Sequence, residues 1–475
     1  MSYLQAIVGI DIGTSNIKVS AFDFEGASIY STSRQNKFLE QENHYDLDGE
    51  YIIEQILDML TELIENDIKI VSIGISSMAE SLFPVSENED IKEKTMVWYD
   101  KRSQKEQKDF HKKFSKSDFY NITGLNSEYL FSIFKLLWYY NHHSDLFKKA
   151  DRWLPVNSYV AYKLTGKKAI DYSLASRTGA LDIKKRDWSQ KILNNLPFDS
   201  TIFPSLKESG KKLGAIKNNY KEELGIDYNI PISLGGHDHI CGSFAVAAFQ
   251  GNVILDSMGT SENILSIASL KQLELTELKN KGLNFGLHVV PGQAYIYQAF
   301  NYSSVIINNI MSIFFNKPVD ELEDEDFKKF NKEARNFQDQ KNSIKLFVEQ
   351  NEDKFIENQK LKDLNLLNIP LNTKRGEVFM AVIRYLCFKS KQIIESLVDV
   401  MPNNDQAEVI TIGGGTRNEL WLEEKAKLLS QPLYINNIER AVTLGAALLG
   451  GIGADLFKDY QNAAEAIKRG KKRVK

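Results

Sequence analysis

Apolar and polar positions alternate with two periods along the chain, and each change of period marks an element. An apolar run from Ala6 to Ile12 leads into the turn-like Gly13-Thr14-Ser15-Asn16. Apolar and polar residues then alternate from Ile17 to Phe22, which predicts a β-hairpin. Apolar residues at helical spacing predict a helix over 51–64, and the run after it a buried strand over 68–75. The same reading gives helices over 132–141, 377–397 and 418–429. It gives strands over 230–234, 251–256, 294–299 and 408–412, with an Ala- and Val-rich helix through Phe249. Strands mixed with long helices predict α/β architecture. The charged stretches 271–281 and 321–353 read as surface insertions or exposed helices.

One pattern recurs. Asp11-Ile12-Gly13-Thr14-Ser15-Asn16-Ile17 has an echo in Asp256-Ser257-Met258-Gly259-Thr260-Ser261-Glu262-Asn263-Ile264, about half the chain further on. Both segments lie between apolar strands. The shared order of strand, Asp, Gly-Thr-Ser and Asn-Ile predicts two related domains, each opening with the same hairpin.

Composition narrows the class. A chain of 475 residues exceeds what one core usually holds, so two or three domains are expected. The net charge of −4 gives no general attraction for nucleic acid or an anionic membrane. The basic run at 468–473 reads as a solvated tail. Two cysteines, Cys241 and Cys387, exclude a disulfide scaffold and fit a reducing cytoplasm. No apolar window reaches the roughly 20 residues of a membrane span, and the first residues lack a charged leader region. A cytoplasmic protein is expected.

Five segments carry candidate chemistry. In the first turn, Gly13 lets backbone approach an oxyanion, Thr14 and Ser15 add hydroxyl donors, and Lys18 adds charge. Asp11 there suits Mg²⁺ held through water. A plain hairpin turn would account for one such segment, but not as readily for two. Val409 to Ile412 runs into Gly413-Gly414-Gly415, where missing side chains would let a flat adenine or ribose lie on the backbone. Thr416 and Glu419 have capping-box spacing after it. Leu234-Gly235-Gly236-His237-Asp238-His239 joins a strand to a helix, so Asp238 is either a helix cap or a base for a hydroxyl proton. His237 and His239 invite a metal site, although adjacent residues on one loop seldom converge on one ion. Met78-Ala79-Glu80 and Trp98-Tyr99-Asp100-Lys101-Arg102 end strands. Their acidic groups and Arg suit a polyhydroxylated ligand, with Trp98 on its carbon face; a salt bridge among Glu80, Asp100 and Arg102 is the simpler account.

Together these motifs resemble the FGGY carbohydrate kinases, within the actin, Hsp70 and sugar-kinase superfamily, over nearly the whole chain. Asp11-x-Gly13-Thr14 with Lys18 resembles the first phosphate motif, and Gly259-Thr260-Ser261 the second. Trp98-x-Asp100-x-Arg102 resembles the substrate loop, and Lys135-Leu136-x-Trp138 a signature segment. Gly236-His237-Asp238 falls at the catalytic Asp. Gly413-Gly414-Gly415 with Asn418 and Trp421 resembles the adenosine motif, and 441–451 the closing helix. The resemblance implies two ribonuclease-H-like (actin-like ATPase) domains flanking a cleft, 1–245 for sugar and phosphate and 246–475 for ATP. It implies ATP-dependent phosphorylation of a small sugar, either a ketose such as a pentulose or a sugar acid or polyol. Asp238 would be the base and Asp11 would help hold Mg²⁺. Thr14, Gly259 and Thr260 would bind phosphate, and closure would exclude water. Met78, Ala79, Glu80, Trp98, Asp100, Arg102, His237 and His239 would line the sugar site. Many relatives of this kind form homodimers.

The chain departs from the family chiefly on the sugar side. Glycerol kinases carry Arg-Glu where this chain has Ala79-Glu80, and xylulokinases carry Met-His-Gly where it has Met78-Ala79-Glu80. His239 replaces the usual Gln or Asn, and 349–373 lacks a Gly-x-Arg-x-Pro segment. A chaperone-like ATPase or a non-catalytic sugar sensor on the same fold are the alternatives. The separate sugar motifs argue against the first, and the retained Asp11 and Asp238 against the second.

Overall fold

The hairpin expected at 6–22 opens the computed structural model, which describes residues 3–41, 44–259, 261–300, 303–340, 344–347, 356–357, 360–361, 365–367, 369–401 and 404–475. The chain runs through β1 (Leu4–Ile12), β2 (Asn16–Phe22), β3 (Ser28–Gln35), α1 (Gly49–Glu65), β4 (Ile68–Ser77), α2 (Ser132–His142), β5 (Lys212–Ala215), β6 (Pro231–His237) and α3 (Asp238–Ala245). It continues through β7 (Val253–Met258), β8 (Glu262–Ser269), β9 (Gln293–Phe300), α4 (Arg375–Val398), β10 (Glu408–Ile412), α5 (Glu419–Leu428), β11 (Leu433–Asn436), α6 (Ala441–Gly453) and β12 (Lys471–Arg473). The expected α/β elements are all present. One helix is broken: α3 stops at Ala245, and Ala247 turns left-handed (φ 56°) before a short 3₁₀ turn, Ala248–Gln250. The charged stretches carry the helices Leu275–Asn280 and Asp324–Arg335, while 341–343 and 348–353 fall outside the described residues. Among the described residues, no helix is long and apolar enough to cross a membrane.

Two compact units interleave in sequence. The first is Met1–Gly251, Ile267–Ile296 and Arg440–Arg469; the second is Asn252–Ser266, Tyr297–Glu439 and Gly470–Lys475. A single cut after residue 245 therefore does not describe them, because α6 returns from the far end of the chain to pack on the first sheet.

That sheet has the order β5-β6-β4-β1-β2-β3, with β1, β4 and β6 parallel and β2 antiparallel to β1. Val8, Ile10, Ile73 and Ile75 face one side, where Ile52, Ile56 and Leu60 of α1 join their core. Asp48 caps α1, accepting from the amides of Glu50 (3.1 Å) and Tyr51 (3.2 Å). The alternate positions, Gly9 and Gly74, face α6 on the other side. A Cβ on Gly74 would lie 1.8 Å from the Ala446 carbonyl oxygen, so the helix backbone rests directly on the strands.

The second unit repeats this plan. β7 is antiparallel to β8 and parallel to β10, which is parallel to β11, as β1 is to β2, β4 and β6. The echo in sequence is thus an echo of topology. Its acidic residue, however, is out of step. Asp11 lies two residues before Gly13, whereas Asp256 lies three before Gly259. Side chains alternate faces along a strand, so the offset turns Asp256 to the opposite face and gives Ser257 the position of Asp11. There Asp256 and Glu262 meet Lys425 of α5, whose Nζ lies 2.6 Å from Asp256 Oδ2 and 2.8 Å from Glu262 Oε1. All three side chains are fully buried. The Ser390 hydroxyl donates to the same Glu262 oxygen.

Candidate active site

The carboxyl ends of β1, β4 and β6 finish side by side in the first unit. Asp11 pairs in register with Ser76, and Ser76 with Gly236, so β4 ends between Asp11 and the start of α3. Open α/β sheets bind ligands at such ends. Asp11 is buried. The Ser76 hydroxyl lies 3.3 Å from its Oδ1, and Lys18, opposite it on β2, brings Nζ to 3.8 Å from Oδ2. Burial pushes its carboxyl up to about 6; Lys18 pulls it down and Asp238 pushes it up. In the adjoining turn, the Gly13 amide donates to Asn16 O (3.0 Å), which leaves Thr14 and Ser15 at the tip. Trp98 donates its indole N–H to Thr14 Oγ1 at 3.0 Å, so the substrate-loop and phosphate motifs come together.

Asp238 sits where β6 becomes α3. The strand runs three residues past its expected end, through Gly236 at φ 146°, where a Cβ would lie 2.5 Å from Ser173 Oγ. The Ser173 hydroxyl accepts from the His237 amide at 2.9 Å and so fixes the turn. Asp238 does not cap the helix. It is the first helical residue, and its Oδ1 accepts from the adjacent His239 amide at 2.6 Å. Asp171, by contrast, accepts from the amides of Ser173 (2.9 Å) and Leu174 (3.1 Å), as a cap does. His237 Nε2 lies 3.2 Å and His239 Nε2 3.6 Å from Asp238 Oδ1. Burial pushes His237 down to about 3, so it is neutral near pH 7, and its Nδ1 is buried without a partner among the described residues. Burial also works against the Asp238 anion. The His239 imidazole and amide and Lys18 outweigh it and hold the carboxyl below its ordinary range.

Around Asp11 the donors are carboxylate and hydroxyl oxygens. This set fits a hard cation such as Mg²⁺. His237, Asp238 and His239 each bring one ligand atom within 4.8 Å of the others, so these three neighbours do converge, against the expectation for adjacent residues on one loop.

The acidic groups of the sugar motifs are divided between two clusters. Glu80 does not pair with Arg102; it pairs with Arg177, whose Nε lies 2.5 Å from Glu80 Oε1. Met78 and Ala79 beside it are buried. Asp100 accepts four hydrogen bonds, from the amides of Tyr45 and Arg102 (both 2.9 Å) and from Arg102 Nε (2.9 Å) and Nη2 (2.8 Å). These fill its acceptor capacity, and its side chain has no exposed area. Arg102 also bonds Asp46 and lies 5.1 Å over the Trp138 ring. Asp100 and Arg102 therefore hold the loop that carries Trp98, rather than offering free groups to a sugar. Lys135 is buried beneath it, donating to the carbonyls of Trp98 (2.9 Å) and Leu130. Asp171, Ser173 and Arg177 are the residues that sequence reasoning missed. Asp171-Tyr172-Ser173 carries the signal of a helix cap, but nothing near Arg177 marks a partner 97 residues away.

In the second unit the three glycines do different work. Gly413 has φ 96° and would place a Cβ 2.6 Å from Met258 O, and one on Gly415 would lie 2.8 Å from Met258 Cβ. These two are required by packing against the end of β7. Gly414 is exposed with nothing within 4 Å of a Cβ, and it alone remains for a ligand. The cap of α5 is Asn418, which accepts from the Trp421 amide at 3.1 Å, while Thr416 donates to Gly413 O; the expected Thr416–Glu419 box does not form. Gly259 is exposed at the β7–β8 turn, and Thr260 lies outside the described residues.

Comparison with known proteins divides the chain once, between residues 245 and 257. Residues 6–245 match the N-terminal domain, and residues 257–454 the C-terminal domain, of the FGGY family of carbohydrate kinases. The chain is 26% identical over 471 residues to a xylulose kinase of Staphylococcus xylosus, covering 97% of this chain and 93% of that protein. It is 23% identical to an L-fuculokinase of Escherichia coli O157:H7 over 486 residues, covering 98% and 95%. The fold matches the crystal structure of ligand-bound xylulose kinase from Lactobacillus acidophilus with a TM-score of 0.83 at 20% identity, covering 99% and 94%.

Proposed function

Because the chain belongs to the FGGY family of carbohydrate kinases, we propose that it transfers the γ-phosphoryl group of ATP to a ketose of the pentulose class, with Asp238 as the base. That it is an ATP- and Mg²⁺-dependent carbohydrate kinase follows from the family; the sugar and the residue roles are our reading. One observation carries the role of Asp238. It is a carboxylate at a helix start that does no capping, held as an anion at the carboxyl end of the sheet.

Asp238 accepts the proton of the sugar hydroxyl as its oxygen forms a bond to the γ-phosphorus. The bond from that phosphorus to the bridging oxygen breaks, and ADP leaves. The Gly13 turn, Thr14, Ser15 and Lys18 are the phosphate-binding residues of the first domain, and Gly259 and Thr260 are those of the second. Gly413, Gly414, Gly415 and Asn418 form the adenosine platform, Gly414 by open backbone and the others by shaping the turn. Asp11, supported by Ser76, would hold Mg²⁺, which supplies charge neutralisation to the phosphates. Glu80, Trp98, His237 and His239 face the sugar, Met78 and Ala79 shape its floor, and Asp100 and Arg102 fix the Trp98 loop. Ala79 in place of the glycerol-kinase Arg, and the xylulose kinase names of several relatives, support a ketose over glycerol.

A panel of pentuloses, hexuloses, polyols, glycerol and aldonates, followed by ADP release, tests the assignment. A pentulose should give the highest kcat/KM and glycerol a low one; glycerol as the best substrate would overturn it. Activity should require Mg²⁺ or Mn²⁺. Asp11→Ala should cost about 10²-fold in kcat/KM, and His237→Ala much less. Loss of a tightly held zinc ion in His237→Ala and His239→Ala would instead make this loop a metal site.

A further inference from the structure

The Glu80–Arg177 pair is unusual for its backbone as well as its burial. Glu80 is a non-glycine residue at φ 67°, a conformation that costs energy and persists only where its surroundings fix it. Those surroundings are specific. The Ser132 hydroxyl donates to the Glu80 carbonyl at 3.2 Å. Arg177 directs both Nε and Nη2 to Oε1 and lies 5.0 Å from the centre of the Phe131 ring. Side-chain exposure is 6% for Glu80 and 8% for Arg177. Glu80 lies three residues past Ser77, which pairs in register with His237 beside the proposed base, and Arg177 acts electrostatically on His237.

The charges around this place are already matched. Arg177 is neutralised by Glu80, and Lys18 faces Asp11. Lys135 is bound to two carbonyls, and Arg102 lies between Asp100 and Asp46. Asp238 and Asp171 add negative charge. A further carboxylate entering with the substrate would meet anions and no uncommitted cation among these residues, at the cost of burying an unpaired charge.

We infer that the Glu80–Arg177 pair makes the sugar pocket selective for neutral ketoses and polyols and closes it to sugar acids. The neutralisation of Arg177 by Glu80 is the deciding element. This rests on the kinase reading above. It also predicts how selectivity changes. Glu80→Gln keeps the size of the side chain and an oxygen for Arg177 but removes the anion, so the buried guanidinium becomes a counterion for a substrate carboxylate. Glu128, the other carboxylate acting on Arg177, is exposed and screened.

The experiment compares kcat/KM for a pentulose and a five-carbon aldonate in wild type, Glu80→Gln, and Glu80→Gln with Arg177→Met. The ratio of the two is independent of the fraction of folded enzyme, so partial misfolding does not obscure it. Wild type should favour the ketose by about 10²-fold or more. Glu80→Gln should lower that ratio by about tenfold or more, and the double variant should restore it. An aldonate used as well as the ketose by wild type would overturn the inference and leave the kinase reading intact. A ratio unmoved by Glu80→Gln, or a lowered ratio that Arg177→Met does not reverse, would remove Arg177 from the explanation. No phosphorylation of any sugar would defeat the kinase reading, and this inference with it.

Discussion

Asp238→Asn should lower turnover by about 10²–10⁴-fold while leaving sugar and ATP affinity nearly unchanged. The substitution keeps the side-chain volume and an oxygen that can still accept from the His239 amide, now 2.6 Å away, so the turn into α3 should survive. It removes only the ability to take a proton. Steady-state kinetics with independent measurement of ligand binding would separate the effects. Turnover within a few-fold of wild type would mean that Asp238 serves only as an acceptor for its neighbour's amide. A matching fall in sugar affinity would make it a binding group rather than a base.

The second large effect is on stability. Lys425→Met should destabilise the protein by about 3–5 kcal/mol, because it leaves Asp256 and Glu262 facing each other without the ammonium that bonds both. Burial already pushes Asp256 up to about 7, from an ordinary value of 3.8, against the pull of Lys425. A carboxyl raised in this way binds its proton more tightly in the folded chain than in the unfolded one. Its contribution is therefore fully present below about pH 4 and lost as the pH rises through 7. The deficit of Lys425→Met should accordingly be smallest in acid and largest above pH 7. Adding Asp256→Asn should recover part of it by removing one of the two like charges. Calorimetry across pH would check both. A variant as stable as wild type at pH 8 would mean that the carboxyls already share a proton.

Local pattern made most of the fold legible. The hairpins, the long helices and the parallel strands each announce themselves within about twenty residues, and the Gly-Thr-Ser echo reported a true repeat of topology. What remained hidden depends on position to within one residue or on partners distant in sequence. Asp256 looked like a second Asp11, yet a one-residue offset sent it into the core. The Trp98-Asp100-Arg102 motif was visible, but the saturation of Asp100 by Tyr45 and Arg102 was not. Arg177 was invisible because its meaning lies in Glu80, on another element. Two of the three glycines before α5 answer to Met258, which no local reading of 413–415 could supply.

The place of α6 has a consequence for how the protein is made. The first sheet is encoded by the opening half of the message, but the helix that covers Gly9 and Gly74 is encoded near its end. At ordinary rates of synthesis about 200 residues take on the order of tens of seconds to emerge, and for that time one face of the sheet has no covering helix. A transcript cut short before α6 should yield an insoluble product rather than a smaller working domain.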